Sequence, residues 1–93
     1  MSLKFEWDER KATLNIKKHK VTFEDAATIF GDRLSLTIHD PDHSQRDEER
    51  WITIGLTKGG HLTVVIHSDQ GDIIRLISAR MATKKEQRTY EER

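Results

Sequence analysis

The chain has 93 residues, of which 34% are hydrophobic and 34% are charged, and its formal net charge is zero. A chain of this length buries only about two-thirds of its unfolded surface, so we expect one small domain over residues 1–93. The sequence contains no cysteine, which excludes disulfide bonds and thiolate metal sites. No apolar run is long enough for a signal sequence or a membrane span, so the expected location is the cytoplasm.

The charges are distributed unevenly along the chain. The neutral total argues against a surface that is basic throughout and binds nucleic acid without specificity. Acidic residues nevertheless crowd the middle, and basic residues crowd the end. The acidic group is Asp40, Asp42, Asp47, Glu48 and Glu49, and the basic group is Arg75, Arg80, Lys84, Lys85 and Arg88. A local basic patch is therefore compatible with the composition.

The first third of the sequence predicts a short strand and two helices. A strand is expected at 3–7, followed by a helix over 8–19 with Asp8 as its N-cap. Thr22 and Asp25 form a pattern similar to a capping box, and apolar residues then recur at helical spacing. This second helix is expected to end at Gly31 in a left-handed turn.

From residue 34 onward, alternating apolar and polar residues predict strands. These are expected at 34–39, 51–56 and 62–67, with a last, less regular strand at 73–80. The stretch "KGG" at 58–60 predicts a hairpin, and residues 68–72 predict a second turn. A third helix is expected over 82–92, with Thr83 and Glu86 as its capping pair. Helices and strands segregated along the chain indicate an α+β fold.

The alternation divides the strand residues into an even-numbered apolar set and an odd-numbered, more polar set. If the even-numbered set packs against the two helices, the odd-numbered set forms an open face of the sheet. That set is Ser35, Thr37, His39, Trp51, Thr53, His61, Thr63, Val65 and His67. Trp51 on such a face would stack on a base or fill a pocket of a partner. The alternative is that the third helix folds back and covers this face.

Two histidine-containing features suggest chemistry. His67 is a candidate acid or base because imidazole titrates near neutral pH, although a histidine at a strand end is more often an ordinary polar residue. His19 is as readily explained as a partner of the helix dipole at the end of the first helix. The stretch "HDPDH" at 39–43 contains metal-ligand residue types, but Asp-Pro-Asp is also a common turn sequence, and we favour the turn.

Arg75 and Arg80 are candidates for binding phosphate through their guanidinium groups. Residues five apart on a regular strand point to opposite faces, so the two meet at one site only if a bulge intervenes or Arg80 lies beyond the regular strand. The alternative is that each arginine pairs with an acidic residue of a loop or helix, such as Glu86.

Four stretches resemble the BrnT toxins of bacterial type II toxin–antitoxin systems. These are "FEWDERKATLNIKKHKVTFEDAATIFGD", "LTIHDPDHS", "EERWITIG" and "IRLISARMATKKEQRTYEE", which cover nearly the whole chain in order. The resemblance implies a RelE-like α+β fold, with a short N-terminal strand, two helices on one face of a mainly antiparallel sheet, and a C-terminal helix. The sequence departs from the family at Lys20, because in the family a glycine often follows the "KH" step. This departure should affect a turn more than the chemistry.

The resemblance also implies a function. It implies a ribonuclease that inhibits translation and growth and is neutralised by a BrnA-type antitoxin in a two-plus-two complex, with operator DNA bound only through the antitoxin. Neither a metal nor another cofactor is expected, and neither is a membrane partner.

Metal-free RNA cleavage needs a base, an acid and a cation for the phosphorane charge. We expect His67 to be the base or acid and Arg75 or Arg80 to stabilise the charge. Lys18 and His19 are expected to contact the RNA backbone, and Arg50, Trp51 and Tyr90 are further candidates for RNA contact.

Two other readings remain open at this point. In the first, the chain is a partner-binding module that acts only as a co-repressor. In the second, it is a degenerate toxin that has kept its interface and lost its chemistry. The sequence contains no dedicated nucleophile or metal motif that would separate them from a ribonuclease.

Overall fold

The computed structural model describes residues 3–42, 44 and 48–92 and has mixed α+β architecture, which confirms the predicted class. Within these residues the sequence forms three helices, one of which continues as a 3₁₀ turn, and one five-stranded sheet. The elements are β1 (Lys4–Glu6), α1 (Glu9–His19), α2 (Phe23–Ala27) with the 3₁₀ turn (Thr28–Gly31), β2 (Leu36–His39), β3 (Trp51–Leu56), β4 (Leu62–Gln70), β5 (Ile73–Met81) and α3 (Lys84–Glu92).

Local side-chain caps explain where the helices begin. The Asp8 carboxylate accepts hydrogen bonds from the backbone N–H groups of Arg10 and Lys11, the first at 2.7 Å. At α2, the Thr22 hydroxyl accepts from the N–H of Asp25 at 3.1 Å. Both caps satisfy N–H groups that have no partner within the helix, so the predicted starts of the first two helices are correct.

The helix ends differ from the prediction in one place. Lys20 adopts φ +61° and closes α1 in the left-handed conformation. The prediction of a left-handed turn at Gly31 is wrong. The segment instead tightens into the 3₁₀ turn, and Gly31 keeps an ordinary φ.

The strand order in the sheet is β1-β5-β4-β3-β2. The short β1 runs parallel to β5, and every other neighbouring pair is antiparallel. The β4–β5 pair contains a bulge, because Ile66 pairs with Ser78 whereas His67 pairs with Leu76, which leaves Ile77 as an extra residue. A bulge of this kind changes which residues of β5 share a face on its two sides.

The helices pack against the odd-numbered residues of β3 and β4, so the predicted assignment of faces is wrong. Val65 is fully buried in the core with residues of α1, α2 and β5, and Thr53, Thr63 and His67 are almost fully buried. Gly55 lies so close to the 3₁₀ turn that a Cβ atom there would be 2.9 Å from the Cβ of Ile29. Polar side chains fit this layer because each has its hydrogen bonds satisfied within it.

The opposite side of the sheet carries the even-numbered aliphatic residues, and we call it the aliphatic face. Its members pair across three strands: Leu36, Ile38, Ile52, Ile54, Leu56, Leu62, Val64 and Ile66. Burial decreases from the centre toward the β2 edge, since Val64 is 2% exposed, Ile54 is 7% exposed and Ile38 is 58% exposed. The aliphatic face is therefore only partly covered.

The C-terminal helix α3 packs at one end of the sheet. Thr83 and Glu86 form the predicted capping pair, with reciprocal bonds of 2.9 and 3.2 Å between side chain and backbone. The Tyr90 hydroxyl donates to Asp32, whose carboxylate also accepts from the N–H of Leu56. None of the helices in the described ranges is long and apolar enough to cross a membrane.

Candidate functional site

His67 lies in the helix-covered layer and not on an open face as predicted. Its side chain is 1% exposed, and the ring of Phe30 packs edge-on against it at a centroid distance of 4.9 Å. Both ring nitrogens have partners. Nδ1 is 2.6 Å from Asp69 Oδ1, and Nε2 is 2.7 Å from Thr53 Oγ1. The imidazole is thus held in one orientation, and it does not contact solvent directly.

Burial determines the protonation state of His67, and its hydrogen bonds determine which ring nitrogen carries the proton. Burial lowers its pKa below the ordinary value, and the bond with Asp69 opposes that shift only in part. The ring is therefore neutral near pH 7. An ionised Asp69 only accepts hydrogen bonds, so Nδ1 carries the proton and Nε2 accepts one from the Thr53 hydroxyl.

The hydrogen-bond chain continues to the surface of the protein. Thr53 Oγ1 is 2.8 Å from the hydroxyl oxygen of Thr37, which is exposed on the edge strand β2. Since Thr53 donates to His67, its oxygen accepts from Thr37. We call Asp69, His67, Thr53 and Thr37 the relay. All its protons point toward Asp69, so the Thr37 oxygen is an acceptor at the protein surface.

The Thr37 end of the relay lies in a small area of β2 and β3 that we call the ledge, formed by the exposed Thr37 and His39, the half-buried Trp51 and the buried Thr53. Thr37 pairs with Thr53 and His39 pairs with Trp51 in the sheet register, so the four side chains share one face. The His39 and Trp51 rings meet edge-on at 5.1 Å. His39 is exposed and Trp51 is half-buried, so the helix layer leaves this corner of the sheet accessible.

A hydroxyl lies beside the ledge, and an arginine precedes Trp51 in the chain. Ser44 Oγ is 3.4 Å from His39 Nε2 and accepts the backbone N–H of Arg50 at 2.9 Å. The Arg50 side chain, which immediately precedes Trp51, donates to Glu48 at 3.3 Å. A cavity of about 430 Å³ adjoins Trp51. It is lined by Glu48, Glu49, Trp51, Ser68, Asp69 and Gln70.

Arg75 and Arg80 lie on the aliphatic side of the sheet, so the structure does not bring them together with His67 as predicted. The bulge at Ile77 puts both arginines on that side, since Leu76 and Ala79 occupy the core. Arg75 donates to Glu6 at 2.9 Å. The sheet itself separates these guanidinium groups from His67.

Arg80 forms the bidentate ion pair with Glu86 that the alternative reading described. Its two terminal nitrogens each donate to one carboxylate oxygen at 2.8 Å. This pairing lowers the pKa of Glu86 to about 2, and the same hydrogen bonds raise the pKa of Arg80. The pair ties α3 to the end of β5 and so has a clear structural role.

The remaining predicted RNA contacts are dispersed. Lys18 and His19 line a separate cavity of about 180 Å³ between α1 and β5, and Tyr90 is bonded to Asp32 in the attachment of α3. His43 of the "HDPDH" stretch lies outside the described residues. In the part of the chain that the structure describes, no three histidine or carboxylate side chains are grouped closely enough to share a metal ion.

Sequence reasoning missed the relay as a unit. Asp69 was assigned to a turn, but β4 continues through it to Gln70. Thr37 and Thr53 were placed correctly on one face with His67, without any sign that they bond to each other. The only signal in the sequence is that hydroxyl residues recur at the same parity on successive strands, and the register needed to pair them comes from the structure.

The similarity to known proteins covers most of the chain. A family model described as the ribonuclease toxin BrnT of type II toxin–antitoxin systems matches residues 7–86. The crystal structure of the Brucella abortus ribonuclease toxin BrnT is similar, with a TM-score of 0.62 and 28% sequence identity over 89% of this chain and 100% of that chain. No curated protein sequence matches. The matched range includes the whole ledge and relay.

Proposed function

Because the chain belongs to the family of BrnT ribonuclease toxins of type II toxin–antitoxin systems, we propose that it cleaves RNA at the ledge by metal-independent acid–base chemistry. The observation that carries this proposal is the relay. It connects a neutral, carboxylate-oriented imidazole to a hydroxyl oxygen at the surface, with heavy-atom distances of 2.6, 2.7 and 2.8 Å. General bases in enzymes are commonly held by such a carboxylate.

The proposed reaction begins with proton transfer along the relay. The ribose 2′-hydroxyl donates its proton to Thr37, Thr37 passes its own proton to Thr53, and Thr53 passes its proton to His67 Nε2. Asp69 stabilises the resulting imidazolium through Nδ1–H. The 2′-oxygen then attacks the adjacent phosphorus and forms a cyclic phosphate, and the bond to the 5′-oxygen breaks.

Three neighbouring residues supply the other functions that the reaction needs. The exposed His39 in its protonated form donates a proton to the leaving 5′-oxygen. Arg50 stabilises the negative charge of the phosphorane. Trp51 stacks on a base, which positions the ribose beside Thr37. In this scheme Lys18 and His19 bind RNA backbone at a distance from the scissile phosphate. Tyr90 has its role in attaching α3.

Arg75 and Arg80 have no place at the same phosphate as His67 in this proposal. The family resemblance supports the wider biology: a cytoplasmic toxin with a RelE-like arrangement that inhibits translation and growth. A BrnA-type antitoxin would neutralise it in a two-plus-two complex and carry the complex to operator DNA. These features rest on the resemblance and remain predictions.

The test is cleavage of end-labelled RNA in excess EDTA, by the protein freed of its antitoxin. Replacing Thr37 by valine removes the surface hydroxyl from an exposed position, and we expect a loss of about 100-fold or more in cleavage rate. Thr37→Ser should restore most of the activity. Arg80→Lys, on the other side of the sheet, is the matched control and should cleave at the rate of the unaltered protein.

The opposite results are equally clear. If Thr37→Val cleaves normally and Arg80→Lys does not, the catalytic site lies on the side of the sheet that carries Arg75 and Arg80. The assignment of the site to the ledge would then be wrong. If the unaltered protein cleaves neither free RNA nor messenger RNA on translating ribosomes, the chain is a non-catalytic partner-binding module, as in the co-repressor reading.

A further inference from the structure

The edge strand β2 is unusually unprotected. Edge strands in soluble proteins normally carry lysine, proline or a bulge, which prevents pairing with other chains. Leu36–His39 contains none of these in its four residues, and Leu36 and Ile38 belong to the aliphatic face. Ile38 is 58% exposed, and Leu34 just before the strand is equally exposed. A strand of this kind needs a cover in the cell.

The backbone groups of β2 that would receive such a cover are defined by the register. The N–H of Asp40 bonds to Arg50 O on the β3 side, and in an antiparallel pair the direction alternates along the strand. The N–H and C=O groups of Ile38 therefore point toward β3. Those of Thr37 and His39 point outward, away from the sheet.

Burial across the aliphatic face shows where contacts are missing. In the row that crosses the sheet centre, Val64 and Ile54 are almost fully buried. In the neighbouring row, Ile66 and Ile52 are half-buried and Ile38 is exposed. The deficit increases toward β2, which is the pattern of a sheet that lacks its next strand. A helix lying across the centre of the face would cover residues that are already buried.

We propose that an extended segment of the antitoxin adds to β2 as a sixth strand. The choice of the antitoxin as the source of this strand rests on the proposed function, and so does the effect on the relay described next. The segment would bond to the outward backbone groups of Thr37 and His39. Its alternate side chains would be apolar on the side of Leu36 and Ile38, where they extend the aliphatic face.

The other side chains of the added strand would fall beside Thr37 and His39 on the ledge. Polar or acidic side chains suit this position, because a threonine hydroxyl and an exposed imidazole are available for hydrogen bonds. One strand would thus cover the exposed aliphatic edge and block the surface end of the relay. The partner segment is therefore recognisable by its chemistry, as a stretch of alternating apolar and polar residues.

The experiment uses the toxin and the antitoxin encoded with it, and it needs no RNA. Ile38→Lys should weaken antitoxin binding at least tenfold in calorimetry. Leu14→Lys, a matched change at a 62% exposed leucine of α1, should leave binding unchanged. By NMR, the amides of Thr37 and His39 should exchange at least tenfold more slowly in the complex. Those of Leu36 and Ile38, already directed at β3, should change much less.

Three outcomes would overturn the proposal. Equal binding by Ile38→Lys and Leu14→Lys would place the antitoxin elsewhere. Lost binding without protection of the Thr37 and His39 amides would mean that a partner lies across the face and does not pair with the edge. A toxin that is dimeric by itself, with these amides already protected and with monomers released by Ile38→Lys, would identify a second copy as the occupant. None of these outcomes bears on Thr37→Val cleavage, so a failed ribonuclease proposal is separately detectable.

Discussion

The two faces of the sheet differ in both composition and cover. The helix-covered face contains threonines and a histidine, and these are among the most deeply buried side chains of the protein. The aliphatic face consists of leucine, isoleucine and valine, yet several of its members are exposed. Hydrogen bonding explains why these threonines and the histidine can be buried, because their polar atoms are paired with one another or with the backbone.

The contrast shows that hydrophobicity alone does not identify the core of a small protein. The helix layer is short, and its contacts are concentrated on β5 and, through the 3₁₀ turn, on β3. A fully aliphatic sheet face exceeds what these helices cover, and a contiguous exposed apolar area of this kind usually marks an interaction surface. The helix-covered face supplies stability and the relay, whereas the aliphatic face is available for binding.

The largest expected effect comes from truncating one apolar residue on each face. Leu76→Ala removes a side chain that is 1% exposed in the core and should lower the free energy of unfolding by about 2–5 kcal/mol. Ile38→Ala on the aliphatic face should cost less than about 1 kcal/mol, because its side chain is already largely in water. Urea denaturation monitored by circular dichroism measures both. Similar losses for the two variants would break the distinction between the faces.

A buried amide on the helix side should give the next largest effect. Asn15 donates to the carbonyls of Val21 and Ala79 and accepts the N–H of Ala79, at 2.8–3.0 Å. Asn15→Leu leaves these three backbone groups without their partner and should cost about 3 kcal/mol in unfolding free energy. Thr13→Ala removes an exposed side-chain hydrogen bond of the same helix and should cost less than about 0.5 kcal/mol. A loss for Asn15→Leu as small as that expected for Thr13→Ala would show that the amide is dispensable.

The close approach of the 3₁₀ turn to β3 can be tested at Gly55. An added methyl group would meet Ile29 Cβ at 2.9 Å and Ser35 Cβ at 3.2 Å. Gly55→Ala should therefore destabilise the protein by about 1–3 kcal/mol in thermal unfolding. Gly31→Ala is the control, since nothing lies within 4 Å of its added Cβ. A neutral Gly55→Ala would mean that the turn moves away without cost.

The smallest effect is a difference in pH dependence between the two sides. The pKa of folded His67 is lowered, so below about pH 6.5 the unfolded state binds a proton that the folded state does not. Stability should fall with decreasing pH in this window, by at most about 1.4 kcal/mol per pH unit, and His67→Gln should abolish that slope.

Glu86 titrates in a lower window. Its folded pKa of about 2 lies below the ordinary value of 4.5, so its contribution is lost as pH falls from 4.5 toward 2. Glu86→Gln should remove only this lower transition in a series of denaturation curves. A single transition shared by the His67 and Glu86 variants would contradict independent titration on the two sides.

Local signals predicted the elements and failed at the relations between them. Asp8, Thr22 and Thr83 cap helices at the predicted positions, because a cap depends on residues within one turn of the chain. The alternation on β3 and β4 correctly separated two faces, but it contains no information on which of them the helices cover. That choice depends on close packing such as the contact between Gly55 and Ile29, which joins distant parts of the chain.

The candidate site was predictable only in part for the same reason. His67 could be identified as a titratable residue on a strand, and Trp51 as its neighbour on the same face. The relay requires the registers of β2, β3 and β4 together, and the shared side of Arg75 and Arg80 requires the bulge at Ile77. Neither is encoded in a spacing within one segment.

The parallel pairing of β1 with β5 joins the two ends of the chain and has a consequence for synthesis. Lys4–Glu6 finds its partner only at Ile73–Arg75, and the helix core includes Ile74, Leu76 and Ala79 of the same late strand. During translation α1 and α2 leave the ribosome without the surface on which they pack. Contacts between such distant segments form slowly, because a long loop must close first. A nascent chain without β5 therefore lacks both the partner of its first strand and the strand on which its first two helices pack.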